Sequence, residues 1–268
     1  REGYIWVGTY SGIYRYDGSR FEAMELDERI RNVMVFYVDS KGKLWIGTND
    51  SGVACYDSAT GDIYFYTMED GLSANSIRSL CEDDAGNIYV GTAGYLSIIG
   101  TDGKVTTYHK WSNINYIRTL VNAGEGMIAG VTNSGELFFI RDGELLCEEY
   151  YPDGTGIYYA ALAYGEDGAL LAGTSSNFAE FLRFDGRKVQ HGIRVETDNC
   201  SYSNMIRYDA GEQGYFICEE NGMGFIGADK KFVNMTQDGF ENSVSDMLVD
   251  YQGNLWFVSN KQGVIKFS

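Results

Sequence analysis

Residues 3–9 read GYIWVGT, residues 42–48 GKLWIGT and residues 86–92 GNIYVGT. A catalytic motif has no reason to recur three times in the first third of a chain. A structural unit that cannot stand alone does. Weaker copies follow as GMIAGVT from Gly126, GALLAGT from Gly168, GYFICEE from Gly214 and GNLWFVS from Gly253. The seven starts fall at residues 3, 42, 86, 126, 168, 214 and 253. A period near forty residues is the spacing of a four-stranded propeller blade.

Each period divides into the same four parts. Strand A is an apolar run such as Ser76–Glu82 or Val244–Val249, and it ends in a turn with an Asp three residues before Gly (Asp39, Asp83, Asp250). Strand B is the GxIWxGT segment. Strand C follows, as in Gly12–Asp17 and Gly52–Asp57. Asp-Gly pairs at 17–18, 102–103, 142–143 and 185–186 suit two-residue hairpin turns to a short strand D, for example Lys104–Tyr108, because such turns need positive φ. A twisted sheet of this kind has two apolar faces and buries neither alone, so the sheets must ring and pack face to face. Trp6, Trp45, Tyr89 and Trp256 are expected to fill the gaps between sheets, with Gly8, Gly47, Gly91 and Gly173 admitting the next one.

The reading is an all-β chain: a seven-bladed β-propeller of four-stranded antiparallel blades, residues 1–268 forming one domain. Its first blade lacks strand A and its last lacks strand D, so the two incomplete blades are expected side by side where the ring closes. Arg1 in place of Met fits a piece of something longer.

Composition bounds the partners. A net charge of −17, spread along the chain, repels a phosphate backbone and an anionic bilayer, so neither nucleic acid nor membrane is an expected partner of this segment. The 34 glycines against one proline fit many tight turns. Cys55, Cys81, Cys147 and Cys218 lie in apolar runs and read as buried hydrophobes, whereas Cys200 lies in a polar stretch. No CxxC pair points to zinc or redox chemistry, and no cofactor or metal is expected. There is no signal-peptide pattern at the start and no apolar run of bilayer-spanning length.

GYIWVGT with SGIYRYDG, and DGLSANSIRSLCEDDAGNIYVGT, resemble the two-component-regulator propeller repeat. The resemblance runs through nearly the whole chain and is sharpest in blades 1–3 and 7; in blades 4–6, Ala129, Leu171 and Ile217 replace the aromatic. It implies the extracytoplasmic, periplasmic or cell-surface sensor region of a membrane-anchored bacterial receptor, notably a hybrid two-component system. That family usually sets two propellers before a β-sandwich, a membrane helix and a signalling domain, and its sensors are often tuned to glycans or their breakdown products. The implied partners are an oligosaccharide, the rest of the receptor and a second copy in a homodimer.

In a propeller the D–A and B–C connections gather on one face, the usual place for a small ligand. Eight residues before the first Gly of strand B stand Met34, Arg78, Arg118, Ala160, Ile206 and Ser245, with Arg207 one residue off. Arg78 and Arg118 thus fall at equivalent points of neighbouring inner strands, placed to hold a carboxylate or sulfate; the alternative is that each pairs with an acid such as Glu82. In blade 6, Glu219-Glu220 stands where other blades read Gly-Thr, near enough to engage Arg207, a sugar hydroxyl or a cation, or simply solvated. Among the aromatics of the D–A connections, Trp111, Tyr116, Tyr150, Tyr151, Tyr158, Tyr159, Tyr202 and Phe240, exposed rings would form platforms for sugar faces; Trp111, Tyr151 and Tyr158 are the candidates, with the Tyr150–Tyr159 insertion (Pro152, Asp153, Gly154, Gly156) the best stretch.

Two other classes remain open. A propeller lyase or hydrolase would need catalytic groups at that face. Both histidines, His109 and His191, fall at or near outer strand D, and no GxSxG, HExxH or calcium loop is present. Glu219 with Asp209 or Asp246 is the remaining carboxylate pair. An interaction scaffold without a small ligand would instead show a large exposed apolar patch.

Overall fold

The computed structural model describes residues 4–111, 113–152, 154–166, 168–198, 202–236, 243–259 and 261–267. Arg1, Gly3, Asp153, Cys200 and Phe240 lie outside the described residues. The protein is a seven-bladed all-β propeller. Its described residues form seven antiparallel sheets, with one short 3-10 turn at Met68–Asp70.

Blade 1 contains β1 (Ile5–Thr9), β2 (Gly12–Tyr16) and β3 (Phe21–Met24), which are strands B, C and D. Blade 2 runs β4 (Val33–Val38), β5 (Leu44–Thr48), β6 (Val53–Tyr56) and β7 (Ile63–Tyr66). Blade 3 runs β8 (Ile77–Glu82), β9 (Ile88–Thr92), β10 (Leu96–Ile99) and β11 (Val105–Thr107). Blade 4 follows with β12 (Ile117–Asn122), β13 (Met127–Thr132), β14 (Leu137–Arg141) and β15 (Glu144–Glu149). Blade 5 is β16 (Tyr159–Tyr164), β17 (Leu170–Thr174), β18 (Phe178–Phe184) and β19 (Val189–Glu196). Blade 6 is β20 (Ser203–Asp209), β21 (Gly214–Glu219), β22 (Gly222–Ile226) and β23 (Phe232–Asn234). Blade 7 has strands A, B and C only, as β24 (Val244–Val249), β25 (Leu255–Ser259) and β26 (Gly263–Phe267). The chain divides into two compact units, residues 1–128 and 129–268, with the boundary inside β13.

In both units the core lies between sheets rather than within one. In the first unit Trp45, Val53 and Cys55 of blade 2 cluster with Ile77, Leu80, Ile88, Val90 and Ile99 of blade 3. In the second, Ala161, Leu171 and Phe181 of blade 5 cluster with Ile206, Tyr215 and Ile217 of blade 6. The expected aromatics Trp45, Tyr89 and Trp256 are buried, as are Ala129, Leu171 and Ile217, which replace them elsewhere; Trp6 packs at the margin of the blade 1–2 cluster.

The strand-B glycine sets the spacing between sheets. A methyl group on Gly47 would lie 2.6 Å from Val35 Cγ1 of its own blade and 2.7 Å from Ile77 Cγ2, on the first residue of the next inner strand. Gly8 faces Val33 in the same way, Gly91 faces Ile117 and Gly173 faces Ser203.

The Asp of each A–B turn closes that turn. Asp39 Oδ1 accepts from the Lys41 and Lys43 backbone N–H groups, and its Oδ2 accepts from Trp45 Nε1 at 2.9 Å. Asp250 repeats this with Gln252, Asn254 and Trp256. In blade 3 the aromatic is Tyr89, and the Asn87 amide takes the indole's place on Asp83 Oδ2. The motif D-x-x-G-x-[IL]-W therefore ties a turn to the core residue that follows it. Burial pushes the Asp250 carboxyl upward, but hydrogen bonds from Trp256, Asn254 and Gln252 outweigh it and hold the group down at about 2.

Two turn expectations need correction. Only Asp142-Gly143, with φ 51 and 72, is a two-residue hairpin turn. At Asp17, Asp102 and Asp185 the loop is longer, and the Asp side chain accepts backbone N–H groups two or three residues on. Strand D is also not uniformly short, since β19 spans eight residues. The described cysteines are free thiols; Cys55, Cys81 and Cys218 are buried and Cys147 is only partly so.

Gly47→Ala should destabilise the fold by about 1–3 kcal/mol in urea unfolding, the usual cost of overpacking. Asp250→Asn should cost about 1–3 kcal/mol near neutrality. A carboxylate with a lowered pKa stabilises above its unfolded value and ceases to as pH falls through its folded one. The gap between wild type and Asp250→Asn should hold constant above about pH 4 and close toward pH 2 in the same unfolding measurement.

Candidate functional site

At the end of the sheets where the D–A and B–C connections lie, one residue in each of blades 2, 4 and 6 clamps its blade to the preceding one. It is the residue immediately before strand A. In blade 2 it is Asn32, whose N–H donates to Tyr10 O in the B–C turn of blade 1 and whose carbonyl accepts from Asn49 N, just past its own strand B. Tyr116 N likewise donates to Gly94 O at 2.7 Å, and Tyr202 N to Ser176 O at 3.4 Å. The carbonyls of Ser76, Tyr158 and Tyr202 accept from Ala93, Ser175 and Glu220. Asn32, Tyr116 and Tyr202 hold φ values of 48, 46 and 73. Asn tolerates that left-handed backbone, while a tyrosine there is strained and persists only where its surroundings over-determine it.

The second residue of strand A is extruded from the ladder. Pairing skips from Ile77↔Thr92 to Ser79↔Gly91, leaving Arg78 as a bulge, and Met34, Ala160, Asn204 and Ser245 are extruded in the same way. Bulges re-aim side chains. Arg78 and Arg118 both take this second position, on β8 and β12. The blade 6 equivalent is Asn204, not Ile206. β20 and β21 are each one residue longer than β4 and β5, and Gly214 opens β21 instead of preceding it by two residues, so counting back from Gly214 slips the register, and Arg207 lies three residues beyond the extruded position.

The sequence-derived partners also change. Glu82 does not meet Arg78; it accepts from the backbone and hydroxyl of Ser40, at 2.7 and 2.8 Å, at the other end of the strand. Arg78 lies with its guanidinium 5.3 Å from the centre of the Tyr116 ring, and its Nε is shielded from solvent with no hydrogen-bond partner. Among the described residues no carboxylate forms an ion pair with it. Arg207 meets Asp246, Nη2 to Oδ1 at 3.3 Å, rather than Glu219 or Glu220. Burial raises the Asp246 carboxyl and Arg207 opposes the shift.

Glu219 is the last residue of β21 and Glu220 the first of the turn that follows. Glu219 is fully buried where other blades place a hydroxyl that closes the B–C turn, such as Thr48 on Gly52 O or Thr174 on Phe178 O; Glu220 is exposed. Trp111 is not an exposed platform. It is buried and stacked on Tyr108 at 4.5 Å. Tyr151 packs edge-on against Tyr159, a core residue, and against Phe178. Tyr158 and Tyr202 are partly exposed and meet edge to face at 6.2 Å.

His191 sits on the outer strand of its sheet, whereas His109 lies in the D–A connection of blade 3 and packs edge-on against Tyr95 of the B–C turn at 5.1 Å. His109 follows β11, and His191 lies in β19 between Glu180 and Glu149, at 3.2 and 3.4 Å. Burial raises Glu149, with His191 opposing. A cleft of about 260 Å³, lined by Phe181, Arg183, Gln190, His191 and Lys230 among others, lies along β18 and β19 rather than at the connection end. Glu136, in the B–C turn of blade 4, was not legible as special in a polar NSGE stretch. It is buried, its Oε2 has no hydrogen-bond partner, and burial followed by Glu148 raises its carboxyl against a hydrogen bond from Tyr150. Among the described residues no group of three or more His, Cys, Asp or Glu side chains is placed to hold a metal ion, and no helix is long and apolar enough to cross a membrane.

Residues 28–50 and 71–94 match the family described as two component regulator propeller. No curated protein matches the sequence. Among solved structures, the chain is similar to the extracellular domain of BT3049 from B. thetaiotaomicron, described as a hybrid two component system: 17% identity over 100% of this chain and 39% of that one, TM-score 0.80. It is similar to the extracellular domain of BT4673 from the same organism, with 14% identity over 99% of this chain and 36% of that one, TM-score 0.75. It is also similar to virginiamycin B lyase from Staphylococcus aureus, with 17% identity over 99% of this chain and 91% of the enzyme, TM-score 0.80. The chain thus spans under two-fifths of the length of the two extracellular domains and nearly the whole length of the lyase. At these identities the likeness is one of fold, and the chain is a propeller in which the repeats at residues 28–50 and 71–94 are of the two component regulator type.

Proposed function

We propose that the chain is a non-catalytic, ligand-sensing propeller from the extracytoplasmic part of a bacterial signalling receptor, and that it takes a glycan-derived molecule at the D–A and B–C end of its sheets. The observation that carries this reading is a constant frame holding variable side chains. In blades 2, 4 and 6 the residue before strand A keeps a left-handed backbone bonded to the preceding blade while its side chain changes from Asn32 to Tyr116 and Tyr202; in blades 3 and 5 Ser76 and Tyr158 keep the bond to the residue after their own strand B. The extruded position beside it varies among Met34, Arg78, Ala160, Asn204 and Ser245. A scaffold that fixes the backbone and varies what it presents suits recognition. Partly exposed tyrosines offer a flat apolar face and a hydroxyl, a combination suited to sugars. Arg207, Glu220 and Asn204 supply polar groups on blade 6.

The rest of the receptor and a second copy of the chain are the proposed protein partners. Ligand binding alters signalling only through different affinities for the receptor's two states. The fold shared with a virginiamycin B lyase keeps catalysis as a second reading. Against it stand the outer-strand position of His191, the burial of Glu219 and the engagement of Asp246 by Arg207.

Melting curves with a panel of neutral and acidic oligosaccharides, with chromatography of the same samples, test the proposal. A ligand specific to the folded state stabilises it by about 2.7 kcal/mol at a hundredfold excess over Kd. The expected result is a raised melting temperature without products. Products would establish the lyase or hydrolase reading instead, and a flat response across the panel would favour a scaffold without a small ligand.

A further inference from the structure

We infer that the ligand taken at the connection end of the first unit is an acid, a carboxylate or sulfate ester on a small organic molecule, that Arg78 receives its charge, and that Tyr116 is the residue positioning Arg78, an assignment that rests on the sensing reading above. The chain carries 38 acidic against 21 basic side chains, so an arginine has carboxylates on offer almost anywhere on its surface. Arg15, Arg29, Arg194 and Arg207 each have one within 2.8–3.3 Å. Arg78 is half-buried, has no carboxylate partner among the described residues, and keeps its Nε shielded from solvent without an acceptor. A donor of a charged group desolvated in this way costs stability. A bound acid would offset that cost, and the guanidinium fork suits a carboxylate or sulfate in two-point contact.

The surroundings hold Arg78 for that task. The bulge at Ile77–Ser79 turns it out of the ladder. Asp50, the acid of the B–C turn in blade 2, is held by the Asn32 amide at 2.8 Å, and Asn49 Oδ1 accepts from Ser76 Oγ at 3.1 Å. Tyr116 lies under the guanidinium at a distance suited to a cation–π contact. It does so from a left-handed backbone that a bulky residue rarely adopts, where blade 2 uses Asn32. The strained tyrosine is what places a ring beneath Arg78.

The test follows arginine Nε–H resonances in ¹⁵N-labelled protein titrated with methyl glucuronide, glucose 6-sulfate and methyl glucoside at fixed pH and ionic strength. The Arg78 signal is assigned by its absence in Arg78→Lys. Both acidic sugars, or one of them, should move that signal while the neutral sugar leaves it in place; which acid does so separates carboxylate from sulfate. Arg78→Gln should weaken acid binding about ten- to a hundredfold. Arg78→Lys, which keeps the charge and loses the fork, should weaken it less and serves if the glutamine variant does not fold. Tyr116→Asn, suited to the left-handed backbone, should stay folded and still lose affinity for the acid while leaving any neutral-sugar binding unchanged. Acid binding that survives Arg78→Gln, equal binding of acidic and neutral sugars, or an Arg78 signal that no acid moves would each overturn the assignment. In the first two cases a raised melt without products would leave the sensing reading standing, and in the third the melting panel decides that reading separately.

Discussion

Everything in this fold depends on how closely one four-stranded sheet can approach the next. Neither face of a blade is buried by its own hydrogen bonds, so each must be covered by a neighbour, and the hydrophobic clusters accordingly mix residues of adjacent blades. The strand-B glycine sets that distance: at Gly8, Gly47, Gly91 and Gly173 the first residue of the next inner strand sits where a Cβ would be. Large side chains three places from the start of the motif fill the space beyond. In blades 1, 2, 3 and 5 one glycine and one apolar residue per period therefore specify the packing, and the remaining positions need only build strands and turns.

A second layer of polar contacts finishes both ends of each blade. At one end the A–B turn folds around an aspartate that also reaches the core tryptophan, as Asp39 does with Trp45. At the other, Asn32 and Tyr202, each just before a strand A, join the end of their own strand B to the turn of the preceding blade, and Tyr116 makes the second of these bonds. These backbone contacts tolerate many side chains. Blades can then differ in what they present at the connection end, Met34 in one and Arg78 in the next, without altering how they pack. Sensing needs such freedom, whereas a catalytic constellation needs several fixed groups converging from different strands.

The strand order, the incomplete first and last sheets and the packing glycines were legible because repetition multiplies a weak signal: seven imperfect copies agree on what one leaves ambiguous. Details that depend on strand length and register were not. Blade 6 has longer A and B strands and its Gly lies inside strand B, so a fixed offset from Gly214 pointed to Ile206 and Arg207 when the equivalent residue is Asn204. Side-chain partners were also beyond reach. Glu82 turned to Ser40 and Arg207 to Asp246, because adjacency in space at the end of a strand is set by neighbouring blades some forty residues away, and Trp111 folded back onto Tyr108 within its own connection. The left-handed backbone at Tyr116 and the burial of Glu136 left no mark in residue type or spacing.

The central claim is that a rigid backbone frame supports interchangeable side chains at the connection end, and amide hydrogen exchange tests it most directly. Asn32 and Tyr116 lie outside any strand, yet each donates its N–H to the preceding blade. Their amides should exchange as slowly as those of the adjoining strands β4 and β12, and should continue to do so when the side chains at 34 and 78 are replaced. Exchange at the rate of open loops, or protection that collapses when those side chains change, would contradict the claim and make the connection end a set of mobile loops rather than a frame.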